Sequence, residues 1–210
     1  MKVLHRLYRK YVAKSFLVVL LLFTFTGCMR TPTTGNSSLR TANEAFYQTL
    51  ESLQGKKLAG QTIFPEMPSA LLAGQPVSIE VASCTKSEMR IPIYVGEKVF
   101  RTLILERTAT GFFLKHEIKK ENGQTHEINL YGGQTKGNGT AFMQFFPADT
   151  YTKNLLSLSA PSIWTLAFSS DYSTFSYLVE KDGKLEMQID FNVNDYLATT
   201  ANKTEQRSKR

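Results

Sequence analysis

The side chains best placed to do chemistry are two histidines, two cysteines and a glycine-rich run. His116 stands between Leu114 and Ile118 in an alternating segment, and His126 follows on the return arm of a hairpin whose turn is Glu121-Asn122-Gly123. With that turn as a three-residue loop, the two imidazoles lie diagonally across the hairpin at a Cα separation of roughly 7 to 8 Å. Two imidazoles so placed could grip a ligand head group or begin a metal site. A stable metal site wants three or four ligands, so His116 and His126 are weak metal candidates, and the plainer reading is one core histidine and one wet histidine near a turn. Cys84 precedes Thr85 and Lys86, lacks any cysteine-enzyme signature, and reads as a small residue at a strand end. Residues 132–139 (GGQTKGNG) lack the spacing and the strand-loop-helix context of a phosphate loop and read as a mobile, solvated connection. No zinc spacing, paired-cysteine motif, nucleophile elbow or carboxylate dyad is present. Neither an enzyme nor a cofactor is therefore expected, and no catalytic residue is assigned.

Cys28 has a different chemistry. Residues 1–27 hold Lys2, Arg6, Arg9, Lys10 and Lys14 and no acid, and an 11-residue run, 16–26 (FLVVLLLFTFT), leads to Gly27 and Cys28. Charged, apolar and small-residue zones in that order make a secretory signal, and the apolar run is too short to span a bilayer as a helix, which needs about 20 residues. Phe25-Thr26-Gly27-Cys28 resembles the lipobox of bacterial lipoproteins, with Phe25 where that family usually has Leu. The resemblance implies cleavage before Cys28, acylation of its sulfur and amine, and, with Met29 rather than Asp following, delivery to the outer membrane of a Gram-negative cell, on its periplasmic face. Two or three acyl chains anchor a protein stably. Residues 28–40, rich in Thr, Ser, Gly and Asn, read as a flexible tether from that anchor. With Cys28 acylated, Cys84 has no partner and no internal disulfide is expected.

The leader also disposes of the basic excess. The whole chain carries 25 Lys and Arg against 18 Asp and Glu; 20 against 18 remain without residues 1–27, and 16 against 17 once the basic tail from Asn202 is set aside. A near-neutral domain offers no electrostatic footprint for nucleic acid. The organisation expected is a signal peptide (1–27), a tether (28–40), a folded domain (41–193) and a polar, basic, disordered tail (194–210).

The elements that must position these residues are mostly strands. Thr41-Ala-Asn-Glu44 is a capping-box pattern, and Phe46, Leu50 and Leu53 recur at helical spacing, predicting an amphipathic helix over 42–54. From Val77 the period changes to two, and strands are predicted at 77–82, 89–95, 100–108, 112–120, 125–131, 141–146, 163–169, 174–180 and 184–193. Pro92 places the second at an edge or bulge. A short helix over 150–159, capped by Asp149, interrupts the series. In the first hairpin a three-residue loop with Gly123 left-handed pairs Ile118 with His126, His116 with Ile128 and Leu114 with Leu130. In the second, a loop of Lys181-Asp182-Gly183 pairs Val179 with Leu185, Tyr177 with Met187 and Phe175 with Ile189.

Nine short strands with local antiparallel connections and no βαβ rhythm predict a mainly β domain, a single antiparallel, calycin-like barrel or barrel-like meander with an N-terminal helix and one inserted helix. Its inward parity carries Phe112, His116, Trp164, Leu166, Phe168, Phe175, Tyr177, Met187, Ile189 and Phe191. If the barrel keeps spare volume, Phe112, Trp164, Phe168, Phe175 and Met187 line an apolar pocket with His116 and Tyr177 as its polar groups.

The mature chain also resembles a family of uncharacterised secreted bacterial proteins over about residues 50–193. The likeness rests on Leu53-Gln-Gly-Lys56, Arg90-Ile-Pro92, Val95-Gly96, Arg101-Thr102, Leu114-Lys-His116, Tyr131-Gly-Gly133, Phe146-Pro-Ala-Asp149 and Trp164. Where such proteins continue with histidines after Leu-Lys-His, this chain has Glu117-Ile-Lys-Lys120. The resemblance implies no activity. The function expected is therefore binding of a small apolar or amphipathic ligand by a lipid-anchored domain. The alternative is a structural or interaction lipoprotein with a filled core, docking an envelope partner through the Pro92 strand or the 132–139 loop.

Overall fold

The computed structural model describes residues 34–65, 74–137 and 139–194. The predicted signal peptide, the tether as far as residue 33, and the tail beyond 194 lie outside the described residues. No helix among the described residues is long and apolar enough to cross a membrane.

One helix, α1 (Thr34–Ser52), leads into β1 (Lys57–Phe64), β2 (Val77–Glu80), β3 (Ser83–Cys84), β4 (Glu88–Val95), β5 (Lys98–Arg107), β6 (Phe112–Glu117), β7 (Tyr131–Gln134) and β8 (Met143–Pro147). A short α2 (Thr150–Leu155) separates these from β9 (Ser162–Phe168), β10 (Thr174–Lys181) and β11 (Lys184–Asn192). The strands form one antiparallel sheet in the order β7-β6-β5-β4-β2-β1-β11-β10-β9-β8, with β3 also on β4, curled into a nearly closed barrel. The expected fold class holds.

The barrel closes between β7 and β8 without a regular ladder. A Cβ on Gly133 would collide with the Pro147 carbonyl, and one on Gly132 with the Leu114 carbonyl, so both glycines allow backbones to approach more closely than any side chain permits. Helix α2 stitches the seam. The Thr152 hydroxyl accepts from the Gly132 N–H (2.6 Å) and donates to the Gly132 carbonyl (2.8 Å), which also accepts from the Asp149 N–H (3.1 Å). Asp149 caps α2 as predicted, its carboxylate accepting from the Thr152 N–H at 2.7 Å.

Several expectations change. Helix α1 begins at Thr34, inside the segment read as tether: Ser, Thr and Asn each disfavour a helix by only a few tenths of a kcal/mol, too little to stop one already anchored by packing further along. Glu44 therefore lies within the helix and pairs with Arg107 instead of closing a capping box. Strand β1 was not predicted, because Gly60 breaks its apolar alternation. That glycine faces the Phe191 ring, which lies over its backbone. Pro92 lies inside the sheet, paired with Thr102 of β5 on one side and at the break where β4 passes from β2 to β3 on the other, and not at an edge.

The first hairpin begins as predicted and then departs. Gly123 is left-handed (φ 79°), Lys119 bridges Thr125 and the His126 N–H donates to the Ile118 carbonyl. Residues 127–130 then leave the ladder, because the Ile118 N–H donates to the Asn129 side chain at 2.6 Å and Leu130 turns left-handed (φ 54°). Pairing resumes with His116 opposite Tyr131 and Leu114 opposite Gly133, so no strand occupies 125–130 and part of the expected loop is β7. In the second hairpin Asp182 and Gly183 are both left-handed (φ 51° and 70°), which makes a two-residue turn pairing Lys181 with Lys184. A bulge then pairs Val179 with Met187 and Tyr177 with Ile189, which returns Met187, Ile189 and Phe191 to the expected face, while Leu185 lies opposite Glu180 and leaves it.

Candidate functional site

The two ends of the barrel are built differently. At one end, α1 acts as a plug: Phe46 packs on Phe112 and Phe168 (ring centroids 6.1 and 5.9 Å), Tyr47 stacks on Phe112 (6.0 Å), and Phe168 meets Phe175 (4.9 Å). The Tyr47 hydroxyl donates to the Thr85 carbonyl at 2.6 Å and tethers the plug to the turn before β4. Cys84 is partly buried beside Tyr47 and Glu51, as a strand-end residue. Phe112, Phe168 and Phe175, expected to line a pocket, pack in the core beneath α1, which delivers two aromatic rings to that end; Phe168 also lines a hollow of about 480 Å³ between α1 and Tyr172, and Phe112 one of about 280 Å³ beside Arg107.

The other end is open. A cavity of about 440 Å³ is walled by Ile118, Ile128, Leu156, Leu158, Trp164, Val179 and Met187, with Arg101 and Tyr131 at its floor and His126, Ser162, Lys181 and Glu186 around it. Of the residues predicted to line a pocket, Trp164 and Met187 do so, while His116 and Tyr177 lie fully buried beneath it.

The hydrogen-bond chain under the floor has determinable directions. His116 Nδ1 is 2.9 Å from the Tyr131 carbonyl, which can only accept, so Nδ1 carries a proton. Burial, aided by the nearby Arg101 cation, lowers the His116 pKa to about 3, so at neutral pH the ring is uncharged and Nε2 is a bare acceptor. The Tyr177 hydroxyl, 2.9 Å from Nε2, must therefore donate to it. Its oxygen in turn accepts from Arg101 Nη1 (3.4 Å), which also donates to the Tyr131 hydroxyl (3.1 Å). Burial holds the Tyr177 phenol well above its ordinary pKa, against the pull of Arg101, so it stays protonated. Rings lock the geometry: His116 is stacked on Tyr131 (4.7 Å) and tilted against Trp164 (5.0 Å).

Both His116 nitrogens are thus committed. Among the described residues no group of three or more His, Cys, Asp and Glu could hold a metal, and His126, whose Nδ1 accepts from the Ile128 N–H (3.1 Å), belongs to the cavity and not to the buried chain. Sequence reasoning missed Arg101 and Tyr131. Arg101 shares the odd parity of Leu103 and Leu105, which was the available signal. Tyr131 could not be placed inward while 125–131 was read as one strand.

Comparison of the chain with protein-family models, with curated proteins and with solved structures yields no match in any of the three.

Proposed function

We propose that this protein is a lipid-anchored binding protein of the cell envelope, acting in the periplasm, whose barrel mouth holds a small amphipathic ligand. The observation that carries this reading is the open cavity of about 440 Å³, a size typical of small-molecule sites, mostly apolar with a few convergent polar groups at its floor. The anchor rests on the lipobox-like Phe25-Thr26-Gly27-Cys28 and its basic and apolar lead. For the alternative, a structural or interaction lipoprotein, β4 offers no free edge because it is paired on both sides, whereas Gln134, Lys136 and Gly137 of the 132–139 loop remain exposed.

Native mass spectrometry of the protein from its own envelope, with titration of an environment-sensitive apolar dye, tests the binding. A co-purifying small molecule, or saturable dye binding weakened at least tenfold by Trp164→Ala, supports it; a bare mass with no saturable dye uptake overturns it. The anchor is tested separately by palmitate labelling, which Cys28→Ser should abolish.

A further inference from the structure

Arg101 has an unusual set of neighbours for a cation at a cavity floor. None of the ion pairs among the described residues includes it, and its buried Nε has no hydrogen-bond partner at all. Buried charges are ordinarily paired, and a buried donor left unmade costs about 1 to 3 kcal/mol, more for a charged group. The neighbours cannot supply what is missing. The Tyr177 proton is committed to His116, whose own proton is committed to the Tyr131 carbonyl, so neither ring offers Arg101 a negative charge. The Tyr131 oxygen accepts from Arg101 while its proton has no acceptor among the described residues. Proton counting therefore leaves Arg101 Nε–H, both protons of its Nη2 and Tyr131 O–H without an acceptor among the described residues, on a cationic floor beneath apolar walls.

Resting on the reading of this cavity as a ligand site, we propose that it selects an anionic amphiphile, an aliphatic chain ending in a carboxylate, with the carboxylate on Arg101 and Tyr131 and the chain against Ile118, Trp164, Val179 and Met187. A single charge matches the floor, which offers one cation; Lys181 is exposed at the rim, where Glu186 also stands, and His126 lies outside the floor. A guanidinium with a free edge suits a carboxylate, which can accept two hydrogen bonds in one plane.

Three probes of equal chain length separate the head group from the tail: dodecanoate, dodecan-1-ol and dodecyltrimethylammonium, each titrated calorimetrically against the full-length protein below its micelle concentration. Dodecanoate should bind at least tenfold tighter than dodecan-1-ol, with the ammonium weakest. Arg101→Met, which keeps the stem length, should make dodecanoate and dodecan-1-ol equal while dodecan-1-ol binding persists. Tyr131→Phe, which keeps the stacked ring, should reduce the carboxylate preference by about threefold to tenfold, and it serves as the test should Arg101→Met fail to fold. Equal binding of dodecanoate and dodecan-1-ol by the unmodified protein would overturn the head-group assignment and leave the apolar cavity reading standing. Binding of none of the three would overturn both.

Discussion

His116 illustrates how burial turns a titratable side chain into a structural one. Its ring is fully buried, both nitrogens are bonded, and its pKa lies at about 3, against about 6.5 for an exposed imidazole. The folded state therefore binds fewer protons at this site than the unfolded state across that interval, and stability rises with pH through it. Above about pH 6.5 the stabilisation is complete; as pH falls from there toward 3 it is progressively lost. Urea midpoints at pH 7.5 and pH 4.5 should differ by several tenths of a molar or more in the unmodified protein. His116→Gln, whose amide can donate to the Tyr131 carbonyl and accept from Tyr177 without a proton to gain, should show a clearly smaller difference despite a lower midpoint at pH 7.5. An unchanged pH difference in the variant would assign the acid sensitivity to other groups. Tyr177→Phe removes the donor to Nε2 and should cost about 1 to 3 kcal/mol at neutral pH by the same denaturation assay, because a buried acceptor is left unpaired.

Among the elements, the seam between β7 and β8 depends on one short helix and two glycines. Thr152 is fully buried, and its single hydroxyl satisfies both backbone groups of Gly132. Thr152→Val keeps the shape and removes the hydroxyl, and it should destabilise the fold by about 1 to 3 kcal/mol, since the buried Gly132 N–H loses this acceptor while the carbonyl keeps the Asp149 N–H. A comparable Thr→Val change at exposed Thr110 should cost less than about 0.5 kcal/mol. Equal costs at the two positions would refute the role given to Thr152. The seam also shows why part of the fold could be read from the sequence and part could not. Period-two alternation located β2, β4, β5, β6 and β8 to β11, and the left-handed Gly123 fixed the tip of the first hairpin, because these are local constraints carried by neighbouring residues. Strand β7 is a Tyr-Gly-Gly-Gln run with no apolar alternation; what makes it a strand is the close approach of backbones remote in sequence, which leaves no local trace. The slip over residues 127–130 hangs on one Asn129 side-chain bond, and it decides which residues face the cavity. For that reason the inward placement of His116, Tyr177, Trp164 and Met187 was legible, while that of Tyr131 was not, and nothing local showed that α1 would divide Phe112, Phe168 and Phe175 from the cavity at the other end.

At the scale of the molecule, the barrel separates stability from binding along its axis. Beneath α1 pack Phe46, Tyr47, Phe112 and Phe175, all fully buried, whereas the open end is walled by side chains that keep one surface toward the cavity, among them Val179 and Met187. Truncating a ring in the packed end leaves a void that its neighbours cannot fill, and Phe46→Ala should cost about 3 to 5 kcal/mol in chemical denaturation. Met187→Ala enlarges a cavity that is already open and removes little buried contact, so it should cost under about 1.5 kcal/mol, well below the loss at a filled core site. Ligand affinity should follow the opposite order: with apolar dye or dodecanoate, Met187→Ala should weaken binding severalfold, while Phe46→Ala, under conditions where it remains folded, should leave binding within about twofold because the plug does not touch the mouth. The crossed pattern is the informative result, since a general loosening of the barrel would move stability and binding together in both variants. Were Phe46→Ala to weaken binding as much as Met187→Ala does, the two ends would be one coupled core, and the division of this fold into a plugged half and a binding half would have to be abandoned.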